Sequence, residues 1–448
     1  MPRWGACLLA GLWAAVPAMA QTQTQTQTQN LTDTYRQALA ADPKYRAVLY
    51  TARATETLHD QAFAGFLPTL RFEAESVETR QRIISSENPI FGPGTTDFPT
   101  RSRTLSLVQP LFRKDVIERF EQAKASVQQA SYTLLAAEQD LMLRTASAYL
   151  QVLAAQDALA FATAEREALG RALELAREKL KSGLGTITVL HDATARHALA
   201  QAREIESRNK LADARQGLQE ITGREPGTLQ SLRSELPLAV PEPAELGAWI
   251  GAAREGNLSL RARAAAVEVA GIEIERQKAA HYPSVNMVYT QNRKDSGSTL
   301  FGGGSNVDTR ELSLRLSVPL FEGGAVLAVT KEAGFKHLKA REEHEQERRA
   351  LERQTRAAYE GLVSGVGLVQ ALAQSVLAQQ SAVAAREQGY AAGINTLLPV
   401  LDAQRDLFAA RRDHAQARYD YLVNRLRLAQ AAGSLSETHL AEVGAALQ

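Results

Sequence analysis

Few residues in this chain are combined in a way that could make or break a covalent bond. His191 and Asp192 are neighbours, and His197 follows six positions after His191. Six positions put the two imidazoles on different faces of a helix, so a metal clamp is not expected, and a solvated surface accounts for them. Glu343-His344-Glu345 lacks the second histidine of a zinc-protease helix. The chain has no Gly-Lys-Ser/Thr phosphate loop, no Gly-x-Ser-x-Gly elbow and no Gly-x-Gly-x-x-Gly turn. Gly302-Gly303-Gly304 falls between two predicted strands, where loop flexibility is the simpler account. The sequence therefore assigns no catalytic residue, no cofactor and no metal, and an enzyme has no residues to stand on.

The residues with a definable task act on backbone geometry. They cluster in two turns, Ser182-Gly183-Leu184-Gly185-Thr186 and Ala392-Gly393-Ile394-Asn395-Thr396. Gly183 and Gly393 suit the left-handed conformation just past a helix end. Thr186 and Thr396 suit the N-cap of the next helix, accepting orphan amide hydrogen bonds. Pro399 then falls at the third helical position, where no intrahelical amide bond is lost.

Turns of this kind need long helices on either side. No proline occurs between Pro110 and Pro226, between Pro319 and Pro399, or after Pro399, and these spans are rich in Ala, Leu, Gln, Glu and Arg. Residues 113–182 and 325–391 are predicted as nearly continuous helices of ~100 Å each, at ~1.5 Å per residue. Lengths of that order point to a coiled coil or a helical tube. A seven-residue seam runs through Leu141, Ala148, Ala155, Ala162, Leu169 and Ala176, with Val152, Leu159, Leu173 and Leu180 in the companion row. Thr145 and Arg166 interrupt that row, and an ordinary antiparallel bundle would share the seam.

Elsewhere the period falls to two. Leu70, Phe72 and Ala74 alternate with Arg71, Glu73 and Glu75, and Leu312, Leu314, Leu316, Val318 and Leu320 alternate with polar residues. Weaker alternation passes through Leu105, Leu107 and Leu111, and through Val285, Met287 and Tyr289. One apolar and one polar face is what a strand between lipid and water needs. Glu87–Arg101 and Lys294–Asp308, rich in Gly, Ser, Thr and Pro, are expected to be loops.

Export is written into the start of the chain. Within its 448 residues, 1–20 read as a signal peptide: Arg3, the apolar run Gly5 to Val16, and Ala18-Met19-Ala20 for cleavage. Cys7, the only cysteine, would leave with it, taking any disulfide, thiolate ligand or lipid anchor. Without Arg3 the chain has 50 basic and 50 acidic residues, so nucleic acid is not an expected partner. After the signal, no stretch is read as approaching the ~18 apolar residues of a membrane helix, so any membrane crossing must use strands in a closed barrel.

The second half restates the first. Leu105-Ser106-Leu107-Val108-Gln109-Pro110-Leu111-Phe112 parallels Leu314-Arg315-Leu316-Ser317-Val318-Pro319-Leu320-Phe321, with five identities. Gly183, Thr186, Asp192 and Ala193 parallel Gly393, Thr396, Asp402 and Ala403. The expected division is a disordered Gln/Thr leader over 21–29, a first repeat over 30–223 (helix, β-hairpin about 66–113, long helical hairpin with tip 182–188) and a belt or linker over 224–245. A second repeat over 246–432 (β-hairpin about 282–321, tip 391–397) and a tail over 433–448 complete it. Two hairpins make four strands, too few to close a pore, so several chains would have to share one barrel.

These features resemble the TolC family of outer-membrane efflux and type I secretion channels. The likeness covers about Leu31 to Leu440. It is carried by Leu218-Gln219-Glu220-Ile221-Thr222-Gly223, by Val318-Pro319-Leu320-Phe321-Glu322-Gly323-Gly324, by Ala417-Arg418-Tyr419-Asp420-Tyr421-Leu422-Val423-Asn424-Arg425-Leu426, and by their order and duplication. The resemblance implies a mainly α fold with a β membrane portion: a homotrimer whose long α-helical barrel continues into a shared transmembrane β-barrel, four strands per chain. It implies twelve strands in the outer membrane and twelve helices across the periplasm. Its implied partners are a periplasmic adaptor at the tips and an inner-membrane ABC exporter or proton-driven pump.

The resemblance also implies a periplasmic entrance that closes like an iris. Tyr390 matches a tyrosine of its links, Thr188 a polar partner and Asp402 an acidic ring position. Val189, Asn395 and Pro399 replace an aspartate, an arginine and a second ring aspartate of the family pattern. Three copies of Asp402 around a narrow axis would raise one another's pKa and attract cations. A solvated aspartate near a helix N-terminus is the plainer account. The expected function is a passive exit duct for a type I secreted protein such as a toxin, for small-molecule drugs, or for both. A dedicated multidrug channel, a soluble periplasmic adaptor and an adhesin-like coiled coil are the alternatives.

Overall fold

The computed structural model describes residues 28–85, 93–298 and 303–448. The proposed signal peptide and leader residues 21–27 lie outside them. In chain order the elements are α1 (Leu31–Ala41), α2 (Pro43–Ala64), β1 (Thr69–Ile83), β2 (Gly94–Phe112), α3 (Lys114–Lys181) and α4 (Ile187–Thr222). There follow α5 (Leu246–Gly256), α6 (Leu258–Lys278), β3 (Ser284–Ser296), β4 (Ser305–Ser317), α7 (Ala325–Ala391), α8 (Leu397–Ala431) and α9 (Glu437–Ala445). Two helices, a hairpin and a long helical pair thus occur twice in succession.

The long pairs are α3 with α4 and α7 with α8; α3 also packs against α2, α6 and α8. The seam of α3 does the packing: Leu141, Val152, Ala162, Leu169, Leu173 and Ala176 are buried. Thr145, an interruption in the pattern, is fully buried too. One sequence expectation needs correcting at α7. It contains an 18-residue window long and apolar enough to cross a membrane by length and composition, and only 11% of that window is buried within the chain. Its Ala, Gly, Val and Leu are interleaved with Ser and Gln, which hides the run from inspection by eye.

The four strands form one antiparallel sheet in sequence order, with β1 and β4 at its open edges. Leu70, Leu107, Tyr289 and Leu312 pair across it, so period two gathers the apolar side chains on one face. The register shifts between Pro110 and Phe112, which places a proline of the central strand β2 at the irregularity. Both loop expectations need correcting. Residues 94–101 are strand, β3 runs on to Ser296 and β4 begins at Ser305. Backbone pairing persists where both faces have turned polar, and hydropathy alternation disappears there although the ladder does not.

Most buried side chains lie in a belt around the middle of the helices. Leu31, Tyr35, Leu141, Tyr149, Leu150, Leu218, Leu422, Leu426 and Leu440 share that cluster. Two tyrosines tie the irregular segment 223–245 to it. Tyr149 Oη donates to the Gln29 carbonyl at 2.9 Å and accepts from the Gln230 amide at 2.9 Å. Tyr421 Oη donates to the Ala239 carbonyl at 3.0 Å and accepts from its amide at 2.9 Å. Burial pushes the Tyr149 phenol up to about 12. Gln29, assigned to the leader by composition, is therefore part of the belt. The stretch 433–448, assigned to a tail, is folded as well: Leu440 and Val443 of α9 are fully buried. Gln448 exchanges backbone hydrogen bonds with Ser231. Short segments like these carry too little periodicity to be seen, and only the core they cover reveals them.

Candidate functional site: the helical tips

Both helical turns close by the same backbone motif. Gly183 N–H donates to Leu180 O at 3.1 Å and Leu184 N–H to Lys179 O at 2.9 Å. Gly393 N–H donates to Tyr390 O at 3.1 Å and Ile394 N–H to Gly389 O at 2.9 Å. This is the Schellman pattern, and it needs the left-handed conformation that both glycines adopt, each at φ 74°. The side chains that follow the glycines, Leu184 and Ile394, are each 81% exposed.

The two threonines diverge. Thr186 Oγ1 accepts from the Val189 amide at 3.4 Å. Thr396 stands at the N-cap of α8 but makes no side-chain cap bond, which corrects the expectation for that residue. Its third helical residue is Pro399, which has no N–H to donate. Instead, Arg386 on α7 donates to the Pro399 carbonyl at 3.0 Å, and Gln404 on α8 to Glu387 at 2.9 Å.

A small apolar cluster holds the two hairpins together: Leu169, Leu173 and Ala176 of α3, Ala193 and Ala200 of α4, and Leu397 and Leu401 of α8, with Tyr390 packed against it. Polar links frame this cluster. The ring of half-buried Tyr390 lies under the Lys179 ammonium, 4.2 Å from Nζ to centroid. Asp402 accepts from Arg196 of α4 at 2.8 Å and has Arg405 at 3.6 Å. Tyr390 and Asp402 each engage a cation of the other hairpin, whereas Thr188 is exposed and makes no side-chain hydrogen bond among the described residues. Neither account of Asp402 offered by the sequence includes its arginine. The sequence does not single out Lys179, which stands between Arg177 and Lys181, or Arg196; only the packing of one hairpin on the other selects them as partners.

His197 packs beside Gly170 of α3, within the first hairpin. Among the described residues no group of three His, Cys, Asp or Glu side chains could hold a metal ion.

The family model described as "Outer membrane efflux protein" matches residues 34–224 and 249–434, both halves of the chain. The chain belongs to that family. It is 31% identical over 423 residues to "Outer membrane protein TolC" of Vibrio cholerae, covering 94% of each. Identity to "Alkaline protease secretion protein AprF" of Pseudomonas aeruginosa is 28% over 418 residues, covering 93% of this chain and 87% of that protein. Among solved structures, the CmeC outer membrane channel of Campylobacter jejuni superposes with a TM-score of 0.80 at 12% identity, covering 99% of this chain and 98% of that one. The protein is therefore a TolC-like outer-membrane channel that extends into the periplasm, and it is not an enzyme. The soluble-adaptor and adhesin readings fall with that result.

Proposed function

We propose that three copies of this chain, each an internal twofold repeat, form one exit duct: a shared β-barrel in the outer membrane continuous with an α-helical barrel in the periplasm. One observation carries this reading. The sheet exposes Leu70, Phe72, Leu312, Leu314 and Leu316 on one face while both of its edges, β1 and β4, stay open. An open edge cannot sit in hydrocarbon, because each unpaired backbone group there costs several kcal/mol. Pairing β4 of one chain with β1 of the next removes every edge, and three chains of four strands supply twelve. The exposed apolar side chains of α7, among them Leu327, Phe335, Leu368 and Leu377, would be covered by neighbouring copies.

The periplasmic entrance in this reading comprises Thr188, Tyr390 and Asp402, and the tips at Gly183, Thr186, Gly393 and Thr396 receive a periplasmic adaptor. The duct is passive; an inner-membrane ABC exporter or proton-driven pump supplies the energy. Its cargo is a type I secreted protein such as a toxin, small-molecule drugs, or both, and the likeness to channels named for alkaline protease and protease secretion favours the protein.

The test is direct. Purified protein should run as a trimer, conduct ions in planar bilayers, and be required for export by its own cell. A monomer without conductance would overturn the shared barrel. Intact protein secretion with lost drug resistance in the deletion strain would reassign the cargo. Arg196→Gln, which releases Asp402 from the neighbouring hairpin, should raise conductance; an unchanged value would remove that pair from the entrance.

A further inference from the structure

The apolar face of the sheet changes chemistry within two rows of residues. One row across the four strands is Leu70, Leu107, Tyr289 and Leu312. The next, one step nearer the hairpin turns on the same face, is Phe72, Leu105, Gln291 and Arg310. Beyond it stand Ala74, Arg103, Arg293 and Asp308, then Ser76, Arg101, Asp295 and Asn306. Four arginines are thus gathered just above the apolar band, and all four are exposed. These rows set four arginines against Asp308 and Asp295, while at the same levels the opposite face carries Glu73 and Glu75 against Lys294, so a net basic excess of two belongs to the apolar face alone.

Their arrangement is costly for a merely solvated surface. Arg103 and Arg293 are direct partners on neighbouring strands, which sets their Cβ atoms ~5 Å apart, and like charges so placed repel. Arg310 has Asp308 at 3.7 Å. Among the described residues no carboxylate lies within ion-pair distance of Arg101, Arg103 or Arg293. A bound anion would turn this repulsion into attraction.

Height decides which anion. From Leu320 to Leu312 the exposed apolar residues of and just below β4 run for eight steps, ~26 Å along a strand at ~3.3 Å per residue. Tilted by ~40°, that rise is ~20 Å, close to the ~25 Å apolar band of an outer-membrane barrel. The helices leave from the lower end, so the arginines stand at the outer end, level with headgroups of the external leaflet. Guanidinium groups there present forked N–H pairs suited to phosphate oxygens.

We propose that Arg103, Arg293 and Arg310, with Arg101 above them, form an outward-facing site for the phosphate of an anionic outer-leaflet lipid headgroup. The site rests on the shared-barrel reading, since only a closed barrel turns this face to lipid. Occupied in each subunit, it would anchor the barrel at a fixed depth.

The experiment titrates the purified full-length trimer with bis-phosphorylated lipid A in phosphatidylcholine nanodiscs and counts retained lipid by native mass spectrometry. Wild type should retain the lipid, and R103Q/R293Q/R310Q should bind at least about tenfold more weakly. Arg71→Gln, on the opposite face, should bind as wild type does. Conductance in neutral lipid should be equal in all three, which separates loss of the site from loss of the barrel. If the triple variant does not conduct, the single variant Arg293→Gln replaces it, with a severalfold weakening expected. Equal retention by variant and wild type, or equal binding of dephosphorylated lipid A, overturns the site. Displacement by millimolar inorganic phosphate also overturns it, because the site would then bind a free anion. Failure of the wild type itself to form a conducting trimer is a distinct result, which removes the shared barrel and this site with it.

Discussion

The belt and the tips are built from the same helices but held by different means. In the belt, side chains from α1, α3, α4, α7, α8, α9 and the irregular segment close over one another, and Tyr149 and Tyr421 each both donate to and accept from backbone. At the tips a cluster of seven buried residues, all of them Leu or Ala, is framed by exposed or half-exposed polar links. Burial of that extent holds the belt fixed, while the tips are secured by links that each cost little to break. The proposed duct, opening at its tips, would need that gradient, because moving elements come from the low-stability part of a fold.

The largest contrast should come from the two cross-helix arginines. Arg144 of α3 donates to Asp42, the N-cap of α2, at 2.8 Å, and the Asp42 side chain is only 4% exposed. Removing Arg144 leaves a buried carboxylate unpaired, so Arg144→Gln should cost about 3–5 kcal/mol in thermal or chemical unfolding of the purified protein. Arg196→Gln should cost less than about 1 kcal/mol, since Asp402 is partly exposed and retains Arg405. Acid sharpens the comparison. Burial opposes ionisation of Asp42, but the Arg144 hydrogen bond, the Tyr45 amide and the Arg144 charge together hold its carboxyl below the ordinary 3.8. Its contribution is present above that value and lost as pH falls through the lowered one. In Arg144→Gln only the Tyr45 amide and the Lys44 charge still oppose burial, so the carboxyl rises relative to wild type and the deficit should shrink as the pH falls toward and below 4. A deficit independent of pH would mean that Asp42 is not the group left stranded.

Apolar truncation should follow the same gradient with a smaller gap. Leu426 in the belt and Leu401 at the tips are both fully buried. Leu426→Ala should cost about 3–5 kcal/mol and lower the melting temperature of the whole protein. Leu401→Ala should cost nearer 2, because a small cluster beside exposed ends can collapse around the gap. Its effect should show mainly as faster amide exchange in α3, α4, α7 and α8 near the turns. Equal losses in global melting would mean that belt and tips unfold as one unit, and the contrast would fail.

How legible each region was in the sequence follows the same division. Long helices are announced by missing prolines and by the Gly and Thr that end and restart them: α3 spans Lys114–Lys181 where 113–182 was expected, and α7 spans Ala325–Ala391. The turns at Gly183 and Gly393 were readable for the same reason, since a left-handed residue is a local demand. The belt was not. Gln29 and segment 223–245 owe their order to Tyr149 and Tyr421, and α9 to packing on α1 and α3, all distant in sequence, so no short window records them. At the tips, Tyr390 and Asp402 were picked out by resemblance, yet their partners Lys179 and Arg196 depend on how one hairpin lies against the other. The upper strands were missed because backbone pairing continues where hydropathy alternation ends.

The smallest effect lies between the two tips themselves. Thr186 caps its helix and Thr396 does not, although both occupy the same position. Thr186→Ala should therefore cost about 1 kcal/mol, read as severalfold faster amide exchange in the first turn of α4, while Thr396→Ala should cost only a few tenths. Pro399 is the stated cause, and a double-mutant cycle tests it. Pro399→Ala supplies an N–H at the third helical position, within reach of Thr396 Oγ1. It also loosens the unfolded chain by about 0.4–1 kcal/mol, so its net effect alone should be near zero. The information is in the coupling. In the Pro399→Ala background, Thr396→Ala should cost about 1 kcal/mol, matching Thr186→Ala, which makes the interaction between the two substitutions roughly 0.5–1 kcal/mol. Additive substitutions would mean that proline is not what silences the cap. The difference between the tips would then lie in Asn395, whose side chain packs against Gly389.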